Sequence, residues 1–450
     1  MRVRRAFLFP GQGSYTPGVI GQLIDGFPGV RATLDLIDEV CEEGNFEPIS
    51  DLLVDSAAPT LDELVAERSS KLDMALFANC MAINEIMSAS DILPDVVVGH
   101  SFGELAALCS AGALSISDSA RLVCERSKVF RQGRIPLGGM VAVPIDGRRA
   151  GHLAEFIDNP NLVVAVENGP EQCVFSGTNS DLTDLKRITQ AAGIPITQLR
   201  AAYPFHNPVM REAAELMNEA VAKVRMSPPK IPIYSPMLGG YLESECDLRR
   251  LVEIHLTKPV PFYDALLRLH RGGIRTFIEI GSRETLSSLV RASLPPGVTA
   301  MAALRGHTSK EELRGVLRAL GRDSSANTHL THPGSATESP TGKMKDPAAP
   351  VHQYSAGEAG PSLISENIVT EIRSIYASLL ELPEELLVED IDLEADLGID
   401  SLKQIELFEH LRKKYNLNEL PPDVRVTSYT TLSKIAELIN GLAALEGVSK

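Results

Sequence analysis

Apolar positions follow two rhythms along the first 320 residues: short unbroken runs closed by glycine or proline, and longer stretches at helical spacing. Phe7-Leu8-Phe9 is a run of the first kind. It feeds Pro10-Gly11-Gln12-Gly13-Ser14, a loop that either lets backbone amides approach a ligand closely or simply turns the chain. Residues 29–90 follow the second rhythm, with Leu34, Leu36, Ile37 and Val40 in one set and another periodic stretch over 72–86, and predict packing helices. Val96-Val97-Val98 predicts a buried strand, Gly99 and Gly103 permit a tight turn, and Glu104 onward predicts a helix rich in Leu and Ala. Ser115-Ile116-Ser117-Asp118 signals a helix N-cap, and the helix behind it carries Arg121, Leu122, Val123, Arg126 and Val129.

From Met140 the pattern changes to strand (140–145), helix (148–157), strand (162–167), strand (172–176), helix (181–192) and strand (194–199). This is the β-α-β-β-α-β order of a split ferredoxin-like subdomain, about 138–202, inserted into a larger α/β body. Further strands are predicted over 231–234 and 276–280, the second closed by Gly281-Ser282, and the body spans 1–320. Residues 321–361 are rich in Ser, Thr, Pro, Gly and Ala; too little apolar area offsets their ordering entropy, so they read as a flexible tether. The remaining residues, 362–450, predict a small helical module.

With 450 residues, 44% of them hydrophobic and 23% charged, the chain can bury a large core in two or three domains. The net charge of -16 argues against nucleic acid as a partner, since phosphate binding needs a basic face. From Pro361 to Lys450 there are 17 acidic residues against 8 basic ones, which suits a basic docking partner. Pro10-Gly11 cuts the N-terminal apolar patch short of a signal peptide, and no run reaches membrane-spanning length, so a soluble cytoplasmic protein with no membrane partner is expected. The six cysteines are dispersed, with no Cys-x-x-Cys pair and no clustered His, so neither a metal site nor a disulfide framework is expected.

Gly99-His100-Ser101-Phe102-Gly103 has the form of a nucleophile elbow, in which Ser101 is either an exposed nucleophile at a strand-to-helix corner or part of a structural turn. A helix N-terminus beside it would favour a developing oxyanion. Arg126 falls in the apolar part of its helix and is either a solvated arginine or one that reaches back toward the elbow. His206, between Pro204 and Pro208, sits on a stiff non-helical segment and matters if Ser101 needs a base.

Phe9-Pro-Gly-Gln-Gly-Ser14, Gly99-His-Ser-Phe-Gly-Glu104, Arg126, Asn168 and Pro204-Phe-His-Asn-Pro208 resemble the malonyl-CoA:acyl-carrier-protein transacylase family, the acyltransferase domains of fatty-acid and polyketide synthesis. Residues from about 362 resemble an acyl carrier protein, with Asp400-Ser401-Leu402 at the attachment serine. The resemblance implies a hydrolase-like α/β body with the inserted subdomain, a linker and a four-helix carrier domain. Ser101 would be the nucleophile and His206 the general base, oriented by a backbone carbonyl for which the loop around Gly281 is the candidate. The backbone amides of Gln12 and Phe102 would form the oxyanion hole, Arg126 would pair with the acyl group's free carboxylate, and Asn168, Tyr203 and Phe205 would line the acyl pocket.

The acyl group would come from coenzyme A and be malonyl or a malonyl derivative. Phe205 agrees with malonyl-type members, whereas Phe102, Tyr203 and Pro204 depart from the usual pattern. Ser401 would carry 4′-phosphopantetheine, attached by a phosphopantetheinyl transferase. Glu406, Glu409, Asp396 and Asp400 would dock basic patches of ketosynthase or other synthase modules. The acceptor would be the chain's own carrier domain or another; an acyl-carrier hydrolase that edits stalled carriers, and a scaffold, are the competing readings. With no ketosynthase-like region before the first loop, the chain reads as a discrete protein or an excised piece of a larger synthase.

Overall fold

The computed structural model describes residues 4–66, 71–132, 135–306, 309–325, 368–380, 384, 387, 393, 401–415, 431–436 and 438–439. In chain order the strands are β1 (Arg4–Phe9), β2 (Val96–Gly99), β3 (Gly138–Val143), β4 (Val163–Gly169), β5 (Gln172–Thr178), β6 (Thr197–Gln198), β7 (Ile233–Ser235), β8 (Gly240–Leu242), β9 (Val260–Pro261), β10 (Ile274–Glu279) and β11 (Thr299–Ala302). All of them belong to the first of two compact units, Met1–Gly334 and Ser335–Lys450.

One sheet has the order β11-β10-β1-β2-β7-β8. Its pairs run parallel from β11 to β7, and only β8 is antiparallel. The apolar run of β2 has no polar alternation because both faces are covered. Phe7, Phe9 and Val97 face one core, whereas Ala6, Leu8, Val96 and Val98 face the other. The expected helical region before the elbow resolves into Pro28–Glu43, Ser50–Val54, Leu61–Ala66 and Lys71–Ala89. The N-cap signal after it is real: Ser115 Oγ accepts the Asp118 N–H at 3.0 Å ahead of the helix Ile116–Gln132.

The second sheet, β6-β3-β5-β4-β9, carries the ferredoxin-like order with helices Gly147–Ile157 and Asn179–Ala191 in the expected places. Two details differ from the sequence reading. The last strand shrinks to Thr197–Gln198, because Pro195 has no N–H for the ladder. A fifth strand, β9, arrives from the body and pairs parallel with β4.

The helix Lys310–Ser325 continues past the expected end of the body at Leu320, and the rest of the expected tether lies outside the described residues. In the second unit the helices Ile368–Leu380 and Ser401–Lys414 share a core of Ile372, Tyr376, Leu387, Leu407, Phe408 and Leu411 with Leu432 and Ile435. No helix among the described residues is long and apolar enough to cross a membrane.

Candidate active site

Ser101 stands between β2 and the helix Gly103–Ser110 with φ +55°. Close packing dictates the two glycines around it: a Cβ on Gly99 would come within 2.2 Å of the Glu104 backbone, and one on Gly103 within 1.9 Å of the Phe9 carbonyl oxygen. Among the described residues five non-glycine positions have positive φ. Three are Asn or Asp, which tolerate it; the other two are Ser101 and His206, at φ +60°. Strain of this kind costs on the order of 1–3 kcal/mol per residue and persists only where the surroundings impose it.

The two strained residues meet: Ser101 Oγ lies 2.6 Å from His206 Nε2. On the other side of the ring, Nδ1 lies 3.0 Å from the Lys258 carbonyl oxygen. A carbonyl only accepts, so Nδ1 holds the proton and Nε2 turns its lone pair to the serine. The orienting carbonyl is therefore Lys258, just ahead of β9, and not the loop around Gly281. That loop packs on Pro10, whose Cγ would lie 2.7 Å from a Cβ on Gly281. Asn207 fixes the segment next to the histidine: its side chain donates to the carbonyls of Asn161 (2.7 Å) and Ser176 (3.0 Å) and accepts from Val209 N–H (3.0 Å).

Burial pushes His206 from its usual 6.5 down to about 3, assisted by His255, His100 and Arg126, while the Lys258 carbonyl opposes the shift. His255 is likewise buried and pushed down to about 3 by desolvation, then by Arg126; its Nε2 donates to the Ser101 carbonyl at 3.1 Å. Glu104, in the first turn of the elbow helix, is pushed up to about 8 by desolvation. Burial thus disfavours an anion there, which would oppose a developing oxyanion. A neutral imidazole in contact with a serine hydroxyl can take the serine proton.

Arg126 reaches back toward this pair and is only 2% exposed. Its guanidinium carbon lies 5.2, 4.6 and 5.1 Å from the ring centroids of Phe102, Phe130 and Phe205, so it touches the neighbours of both Ser101 and His206. Tyr203 stacks on Phe130 at 4.9 Å. Nη1 donates to Asp73 Oδ2, forming a buried ion pair.

The acyl transferase domain family matches residues 6–332, and the phosphopantetheine attachment site family matches residues 370–439. This chain belongs to the acyl transferase domain family. Malonyl CoA-acyl carrier protein transacylase of Bacillus subtilis is 32% identical over 292 residues, covering 64% of this chain and 89% of that protein. Polyketide synthase GfsA of Streptomyces halstedii is 31% identical over 287 residues, covering 64% of this chain and 4% of that protein. The crystal structure of acyl-carrier-protein-S-malonyltransferase from Bartonella henselae matches with a TM-score of 0.62 at 27% identity, over 71% of this chain and 99% of that one. The chain therefore spans most of the Bacillus protein but a small fraction of the synthase.

Within the acyl transferase domain the predicted residues converge unevenly. Gln12 opens a short 3-10 turn, Gln12–Ser14, that lies against the elbow: a Cβ on Gly11 would sit 3.7 Å from Ser101 Cβ and 3.8 Å from Phe102 N. Asn168 on β4 accepts from His100 Nε2 at 2.7 Å and donates to Gln172 at 2.8 Å, which ties the residue before Ser101 to the second sheet. Ser401 lies in the other unit, as the first residue of the helix Ser401–Lys414. On that helix Glu409 pairs with Arg412 at 2.8 Å; Asp396, Asp400 and the side chain of Glu406 lie outside the described residues.

Sequence reasoning missed Lys258, His255, Phe130 and Asp73. Asp73 alone had a visible signal, as an acid followed at once by the apolar run Met74-Ala75-Leu76-Phe77-Ala78, all of it buried.

Proposed function

We propose that Ser101 takes a malonyl-type acyl group from a coenzyme A thioester and passes it to a carrier thiol. The contact between Ser101 Oγ and His206 Nε2, with Nδ1 held by Lys258, carries this reading. Ser101 Oγ attacks the thioester carbonyl carbon while its proton moves to His206 Nε2. The amides of Gln12 and Phe102 face the oxygen that gains charge. As the carbonyl re-forms, the carbon–sulfur bond breaks and His206 returns the proton to the departing thiolate, leaving an acyl ester on Ser101.

In the second half His206 accepts the proton of the incoming thiol. The thiolate sulfur bonds to the acyl carbon, and Ser101 leaves as it regains its proton. Arg126 holds the carboxylate end of the acyl group, and Tyr203, Phe205 and Asn168 shape its pocket. The attachment-site match and the serine at the head of the helix Ser401–Lys414 fit a 4′-phosphopantetheine ester on Ser401. That group supplies a flexible thiol as acceptor.

The partners of this reading are a phosphopantetheinyl transferase, acyl carriers including the chain's own, and ketosynthase or other synthase modules. The location is the cytoplasm, where the six free cysteines stay reduced. The test is intact-mass analysis after phosphopantetheinylation and exposure to malonyl-CoA. An arm's mass plus an acyl mass is expected, with the arm lost in Ser401→Ala and acyl transfer lost in Ser101→Ala. Free malonate accumulating with no acylated carrier would sink the transferase reading in favour of a hydrolase.

A further inference from the structure

The acyl-binding side of the site contains more than a clamp for a carboxylate. Arg126 is already ion-paired with Asp73, and their side chains are only 3% and 11% exposed. The pair has no net charge, and the rings of Phe102, Phe130 and Phe205 surround the guanidinium with apolar surface. Arg126 Nε is buried with no hydrogen-bond partner and is open to a ligand.

A malonyl carboxylate on Nε would put two carboxylates on one guanidinium and bury a net negative charge, which is costly in a low-dielectric surround. An uncharged acyl group such as acetyl avoids that charge but leaves Nε without an acceptor. A group that brings a carboxylate to Arg126 and a cationic donor to Asp73 keeps the pocket neutral and gives each ion an opposite partner.

We propose, on the basis of the acyltransferase reading above, that the acyl group this site selects is a malonyl unit with an amino group on C2. It binds as the zwitterion, with its carboxylate on Arg126 and its ammonium on Asp73. Asp73 is thereby a specificity residue that separates this unit from plain malonyl.

The test is an equimolar competition among the malonyl, 2-aminomalonyl and acetyl thioesters of pantetheine, with the ester on Ser101 read by intact mass. The 2-aminomalonyl ester is expected to exceed the malonyl ester by about tenfold or more in the unmodified protein. Asp73→Asn is expected to lower that ratio about tenfold, since an amide neither balances the ammonium nor repels malonyl. Asp73→Glu keeps the charge and should keep the preference; thermal melts of both variants establish that they fold.

A preference for malonyl or acetyl in the unmodified protein, or an unchanged ratio in folded Asp73→Asn, overturns the assignment while leaving Ser101 as the nucleophile. No ester from any of the three thioesters overturns the acyltransferase reading and this inference together.

Discussion

Around Ser101 the protein gathers titratable groups and disfavours their charged forms: burial pushes His206 and His255 down to about 3 and Glu104 up to about 8. Around Arg126, which packs on the residues beside the same serine and histidine, it buries an ion pair instead. Proton transfer requires groups whose charge can change during the reaction, so desolvation without a counterion suits the dyad. Recognition requires a charge that does not change, and there pairing suits better. The Ser101–His206 contact is set by backbone, through two positive-φ residues and the Lys258 carbonyl; the surroundings of Arg126 are set by side chains.

If His206 is the base proposed above, removing it breaks the first side outright. His206→Ala should slow carrier acylation by about 1,000-fold, measured as the initial rate of acyl-carrier formation. A variant at near-native rate would mean that Ser101 draws no help from its neighbour. On the second side, Arg126→Ala should lower kcat/KM for carboxylate-bearing thioesters by about 100-fold while leaving acetyl transfer far less affected, as read by thiol release. Equal losses for both would make Arg126 a structural residue only.

A smaller effect is expected where backbone setting and side-chain anchoring meet. Asn207→Ala leaves the part-buried carbonyl of Asn161 and the buried one of Ser176 without this donor. It should cost about 1–3 kcal/mol in denaturant unfolding. The least effect concerns pH. Because His206 in the folded protein protonates only near 3, the rate of Ser101 acylation should stay level from pH 7 to about 5, with no acid limb at 6.5.

The same two histidines affect stability with a definite sign. Below 6.5 the unfolded chain takes up protons that the folded site refuses until about 3, so their contribution is present above 6.5 and is lost as pH falls through that window. Urea midpoints across the window for His255→Gln against the unmodified protein would check it, the variant showing the shallower decline.

What was legible in the sequence were features whose signal is local. The elbow appears as a β-branched run between glycines, and the inserted subdomain as alternating periods in the right order. His206 stood out through its flanking prolines and a chemical need. Lys258 was illegible because it acts through a carbonyl that every residue possesses. His255 was illegible because its contact spans 154 positions of chain. Asp73 pairs with Arg126 across 53 positions, and periodicity assigned its helix to packing without weighing the acid in its first turn. β9 is too short to register as a run of any kind.

That small strand also decides whether the inserted subdomain is a separable part. β9 pairs with Val166 and Glu167 on the outer edge of β4, so a fragment cut at residues 138–199 would leave that part of the edge unpaired. Such a fragment would pair with copies of itself instead of remaining a monomer. The insertion is a sheet the body finishes, and transplanting it requires carrying residues 258–261 along, which bring the histidine's orienting carbonyl with them.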